Sequence, residues 1–305
     1  MRAAGIDRFG GDIRALDFDA PASPGPDEVV VAVRAAGVGN WDDIARTGGW
    51  DLGTQPPMAL GVEAAGVVAE VGGAVRDFAV GDGVAVHSAP LRAQGAWAER
   101  FLAGAAEVAA LPDEVDFATA AAFAVPALTA DQALRDAVEL EDGQTLLVHG
   151  AGGVTGRLLV ALGANYGARV IATGSPSGAE ALTAAGAAQV LSYSDPSWPE
   201  TARELGIDCA VNAVPGQAAL ALTAVRDGGH LATITSDPPA PARGISPTEV
   251  YVAPDGPRLA TLLRLLAAGT LPLDVGARFS LSDAAEALAQ VRRGTHGSAV
   301  VLTFE

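Results

Sequence analysis

At 305 residues, half of them hydrophobic, the chain exceeds one ordinary core and suits two domains of about 150 residues each. A formal net charge of −17, with all 19 basic residues arginine, leaves no electrostatic footprint for nucleic acid or an anionic membrane surface. No apolar run reaches the roughly 18 residues that span a bilayer, the opening MRAAGIDRFGGDI lacks a signal-peptide core, and the single Cys209 excludes a disulfide framework and a multi-cysteine zinc site. A cytoplasmic chain is expected.

Valine-rich segments at 28–34 (EVVVAVR) and 65–71 (AGVVAEV) read as strands, the second closing at Gly72-Gly73. Residues 80–87 form a third, entered through Gly81-Asp82-Gly83. Segments 21–26 and 55–57 read as loops, because proline fixes φ and removes a ladder donor. Short strands punctuated by Gly and Pro predict a compact, barrel-like β domain. From Phe117 the period changes. Residues 118–138 read as helical with a break at Pro126, and regular alternation then begins. Strands at 145–149, 169–173, 189–193, 208–213 and 229–235 are separated by helices near 157–166, 178–186, 199–205 and 216–226. That order specifies a parallel, doubly wound sheet. Residues 237–247 are Pro-rich and expected to be mobile. A strand at 248–253, a helix at 257–268 and a β-α-β stretch at 278–302 close the chain, the last expected to fold back onto the opening domain. The apolar TEVYV at 248–252 suits an open sheet edge, and an open edge invites a second copy, so a homodimer is expected.

The most informative run is LLVHGAGGVTG at 146–156, a short strand breaking into a glycine turn that opens a helix. Gly150, Gly153 and Gly156 allow the tight turn, admit a pyrophosphate and let helix and strand pack closely. Val154 and Thr155 then present helix N-terminal amides to the phosphates. An NAD-specific site would carry a carboxylate at the end of the next strand. Gly174 stands there, followed by Ser175, which leaves room for a 2′-phosphate and predicts NADPH.

Together with residues 35–48 (AAGVGNWDDIARTG), 60–71 (LGVEAAGVVAEV), the Gly-Asp-x-Val turn at 81–84 and 126–134 (PALTADQAL), the chain resembles the medium-chain dehydrogenase/reductase superfamily. Within it, the resemblance is to the zinc-free quinone oxidoreductase branch that includes zeta-crystallin. It implies an α/β architecture: a GroES-like β-barrel catalytic domain from residues 1–118 and 270–305, and a Rossmann-type doubly wound parallel sheet from 119–269. The zinc branch uses Cys, His and Cys ligands; those places hold Gly39, Val62 and Val125, none able to donate to a metal. No metal is expected.

The resemblance implies hydride transfer from NADPH to a quinone or related conjugated carbonyl, a small-molecule substrate. The nicotinamide would lie under the Asn40–Asp42 loop and beside Thr129. Asn40 is the candidate donor to the acceptor oxygen, and Thr129 a contact of the nicotinamide amide or ribose. Asp42 either takes part or is a structural turn carboxylate. The usual 2′-phosphate lysine is absent, leaving Ser177-Gly178-Ala179; Tyr193 and Arg293 either compensate or serve as a core residue and a surface residue. Trp41, Trp50 and Trp97 are either walls for a flat acceptor or ordinary core. His87, His149 and Cys209 read as structural. Two alternatives stand beside quinone reduction: an enoyl or enone reductase of a biosynthetic pathway, weakened by the lack of a tyrosine at Asn40, and a non-catalytic NADPH-binding protein.

Overall fold

The longest valine-rich segment becomes the strand on which the first half of the fold is built. In the computed structural model, which describes residues 1–304, contacts divide the chain into two units. One comprises Met1–Val125, Ala253–Ala268 and Leu273 onward; the other comprises Pro126–Val252 and Gly269–Pro272.

In the first unit, β1 (Arg2–Ile6), β2 (Arg14–Asp17) and β4 (Met58–Ala59) make a small antiparallel sheet. A seven-stranded sheet is centred on β3 (Glu28–Val38), whose flanks are β5 (Glu63–Val71) and β16 (Ala299–Thr303). It continues through β6 (Gly83–His87) to β8 (Val108–Ala110) on one side and to β15 (Val275–Ser280) on the other, while β7 (Arg100–Gly104) also pairs with β3. The antiparallel β16–β3 pairing brings the chain's last strand back onto its opening segment, as expected. Both faces of β3 are largely buried, around a core that includes Trp97 and Phe101. Segment 80–87 is shorter than expected. Val80 is 63% exposed and Gly81 takes a left-handed φ of +102°, so the strand begins only at Gly83. Four helices belong here: α1 (Asn40–Thr47), α2 (Phe117–Ala121), α8 (Gly256–Ala267) and α9 (Ala284–Arg293). Helix α8 lies so close on β8 that a Cβ at Gly256 would stand 2.3 Å from the Val108 carbonyl.

The second unit holds a six-stranded parallel sheet. Its strands are β9 (Thr145–His149), β10 (Arg169–Gly174), β11 (Gln189–Ser192), β12 (Ile207–Asn212), β13 (Val225–Thr233) and β14 (Thr248–Glu249), in the order β11-β10-β9-β12-β13-β14. Helices α4 (Val154–Asn165), α5 (Ala179–Ala184), α6 (Trp198–Glu204) and α7 (Ala218–Ala224) connect them. Pro126 does not break its helix. It sits in the first turn of α3 (Ala124–Gln132), where its missing N–H has no intrahelical partner to lose. A five-residue π turn, Ala133–Ala137, follows.

The Pro-rich segment 237–247 is tied down rather than loose. Arg243, at φ +52°, donates to the Val225 carbonyl (2.7 Å) and the Leu222 carbonyl and pairs with Asp227 (2.8 Å), while Ile245 is buried in the core. The expected strand at 248–253 is reduced to the edge pair Thr248–Glu249, and Tyr251 beyond it is 65% exposed. Among the described residues, no helix is long and apolar enough to cross a membrane.

Candidate functional site

The glycines of the β9–α4 turn divide into two kinds. Gly150 has φ +90°, and a Cβ there would lie 2.6 Å from Val214 Cγ2; at Gly156 it would lie 2.4 Å from the Gly150 carbonyl. The fold itself requires both. At Gly152 and Gly153 a Cβ would meet nothing within 4 Å, and neither has a left-handed φ. These exposed glycines leave an open cradle over the start of α4. Gly153 is the N-cap of that twelve-residue helix and no side chain caps it, so the Val154 and Thr155 amides sit in an uncapped, electropositive first turn. A pyrophosphate fits that arrangement, by shape and by charge.

At the end of β10, Gly174 is buried, and a side chain there would press on Leu182 Cδ1 at 2.6 Å. A side chain here would require Leu182 on α5 to shift, and the glycine brings no carboxylate to this strand end. Ser175 Oγ accepts from the Gly178 amide (3.1 Å) and lies 3.1 Å from Ser177 Oγ, so two hydroxyls share one short turn. Tyr193 is 56% exposed after β11 and is not a core residue. Thr129 is half-buried on α3.

In the first unit, Asn40 is exposed at the first position of α1. Asp42, two residues on, is buried and accepts from the Gly39 amide (2.8 Å) at the N-cap. Burial pushes its carboxyl up to about 8, outweighing the amides of Gly39 and Gly61 that hold the charged form. Glu63 is equally buried and accepts from the Val125 amide (2.7 Å). Burial raises it well above the ordinary glutamate range, and the neighbouring Asp42 charge adds to the rise. Gly39 and Val125, which the resemblance sets at zinc-ligand places, offer their backbone amides to these carboxyl groups. Among the described residues, no three His, Cys, Asp or Glu side chains are placed to hold a metal ion.

The three tryptophans differ. Trp41 is half-buried and lies over Gly39, where a Cβ would be 2.2 Å from its ring. Trp50 is half-buried after α1. Trp97 is fully buried and donates from Nε1 to the Gly37 carbonyl (3.0 Å), so it is core and has no surface to offer a substrate. Arg293, at the end of α9, is exposed and ion-paired with Glu286 (2.7 Å). Cys209 is buried on β12, and burial pushes its thiol up to about 12, in keeping with an inert residue.

Sequence reasoning missed a row of buried polar residues where the parallel strands end. His149, Asn212 and Thr233 pair in register on β9, β12 and β13, Thr173 on β10 lies against His149, and all four are at most 1% exposed. Ligands of open α/β sheets bind beyond this carboxyl edge. The available signal was a polar residue at the close of each of these apolar strands.

Residues 25–113 match the alcohol dehydrogenase GroES-like domain family, and residues 185–302 match the zinc-binding dehydrogenase family. A quinone oxidoreductase of Pseudomonas syringae pv. tomato has a solved structure that is 30% identical, covers 99% of both chains and superposes with a TM-score of 0.87. The chain belongs to the medium-chain dehydrogenase/reductase superfamily, in its quinone oxidoreductase branch. Another solved member, the Escherichia coli quinone oxidoreductase complexed with NADPH, is 25% identical over the full length of both chains, with a TM-score of 0.86. A Pseudomonas aeruginosa quinone oxidoreductase is 38% identical over 177 residues, 57% of this chain. The aligned part spans about half (53%) of that curated relative.

Proposed function

We propose that this chain is a zinc-independent, NADPH-dependent oxidoreductase that passes a hydride to a quinone or a related conjugated carbonyl. The observation that carries the reading is the open cradle at Gly152 and Gly153 before an uncapped helix, paired with a strand end at Gly174 that carries no carboxylate. When bound, NADPH supplies the hydride. Val154 and Thr155 would hold the pyrophosphate over the open surface of Gly153, on a turn whose shape Gly150 and Gly156 permit. Gly174, Ser175, Ser177, Tyr193 and Arg293 would serve the 2′-phosphate, with arginine the strongest single contact. Asn40 presents its side-chain amide as donor to the acceptor oxygen, and Thr129 serves the nicotinamide amide or ribose. Asp42, buried two residues after Asn40, fixes the start of α1 through the Gly39 amide. Trp41 and Trp50 keep exposed surface for a flat acceptor. No metal donor stands at Gly39, Val62 or Val125, so acceptor polarisation falls to hydrogen bonds.

A small-molecule substrate, a homodimer formed through the β14 edge and a cytoplasmic location complete the reading. The test is the initial rate of NADPH oxidation with ortho- and para-quinones beside linear enones, repeated with NADH. Fast quinone turnover with NADPH preferred upholds the proposal. Turnover confined to enones reassigns the chain to alkene reduction, and tight NADPH binding without turnover on any acceptor points to a non-catalytic role.

A further inference from the structure

The buried polar row closes on itself through a surface loop. Thr173 Oγ1 lies 2.8 Å from His149 Nδ1 and accepts from the Gly150 amide at 3.0 Å. On the other side of the ring, His149 Nε2 lies 2.9 Å from Gln217 Oε1, in the loop between β12 and α7. That pattern permits one consistent set of protons: Nε2–H donates to Gln217, the Thr173 hydroxyl donates to Nδ1, and Gly150 N–H donates to Thr173. The loop is held from elsewhere too. Asn212 Nδ2 donates to the Val214 carbonyl (3.1 Å), His149's own carbonyl accepts from Ala213 N (2.8 Å), and Asp237 Oδ2 accepts from Gly216 N (2.7 Å). Val214 in turn fills the space where a Cβ at Gly150 would stand. The glycine turn and the β12–α7 loop therefore share one ring, and that ring stacks on Trp198 with centroids 4.5 Å apart.

We propose that His149 is a positioning residue that latches the glycine turn to the β12–α7 loop, so that dinucleotide affinity depends on this latch. The consequence for affinity rests on the dinucleotide reading above; the latch itself does not. A protonated ring would carry hydrogens on both nitrogens and force the Thr173 hydroxyl to turn away. The groups facing the imidazole are Thr173 from β10, Gln217 from the loop and the Trp198 ring from α6, and none of them is charged. Burial accordingly holds His149 below the ordinary histidine range, with the Gln217 hydrogen bond opposing.

Two measurements separate the latch from the cofactor reading. In the protein without dinucleotide, Thr173→Val is expected to speed hydrogen exchange at Gly150 and Ala151 about tenfold, with Thr173→Ser restoring the wild-type rate. Gln217 is exposed, so Gln217→Ala perturbs the same ring with little risk to folding. Unchanged exchange in both variants overturns the latch. With NADPH added, both variants are expected to bind about tenfold more weakly. Affinity that is equal in Thr173→Val and wild type overturns the link to binding. A wild-type chain that binds no dinucleotide overturns the functional reading and that link together, while faster exchange in the variants still upholds the latch.

Discussion

Both units bury polar side chains, and they do so with opposite chemistry. In the barrel unit, Asp42 and Glu63 are buried acids held by the backbone amides of Gly39, Gly61 and Val125. In the Rossmann unit, Thr173, His149, Asn212 and Thr233 are neutral and bonded to one another or to the adjoining loops. The difference fixes the sign of each unit's response to pH. An aspartate raised to about 8 keeps, when folded, a proton that the unfolded chain releases near its ordinary value of about 4. Its stabilising contribution is thus lost as pH rises between those values and is level above them. A histidine held low does the reverse: below about 6.5 the unfolded chain takes a proton that the native ring refuses, so stability is lost on acidification. Buried carboxyls tolerate acid, and a buried neutral imidazole tolerates alkali.

The comparison breaks most completely at Trp97, which covers Gly61 and bonds Gly37 beside the carboxyl pair. Trp97→Ala is expected to cost about 3–5 kcal/mol by thermal or urea unfolding, and a cost within the range of ordinary surface substitutions would show that the tryptophan is not core. Next in size is the alkaline limb. From about pH 5 to pH 8 the wild-type unfolding temperature should fall, at about 1.4 kcal/mol for each pH unit per fully coupled group. Asp42→Asn or Glu63→Gln should flatten that slope; a wild-type profile that is level or rising there refutes the pair's raised protonation.

The Rossmann side is sharpened by contrasting two glycines. Gly150→Ala, at φ +90° and against Val214, should destabilise by about 1–3 kcal/mol. Gly153→Ala, at the N-cap, should cost no more than about 1 kcal/mol and weaken NADPH about tenfold, because its side chain enters only the open cradle. Equal effects of the two on stability would remove the distinction between structural and ligand-facing glycines. The smallest effect is expected at Arg293. Arg293→Ala should raise the NADPH KM about two- to fivefold and the NADH KM less; equal changes for both cofactors would take Arg293 out of the site.

Periodicity and punctuation were legible along the chain because they are local. The strand–helix alternation from 145 to 233 and the glycine turn follow from residue spacing, while the return of the last strand to the first unit was expected from its likeness to the opening domain. Segment 237–247 misled, because proline content speaks of the local backbone and not of Arg243, which reaches back to the carbonyls of Leu222 and Val225. Trp97 likewise could be a wall or core until the strands around it were placed. The sequence by itself determined which segments could be strands and where a glycine turn opens a helix. Only tertiary structure decided that Asp42 and Glu63 become neighbours in a dry interior, and that His149, Asn212 and Thr233 line up in register with Thr173 against His149. Burial and register depend on residues tens of positions apart meeting in space, and desolvation acts only once they have met.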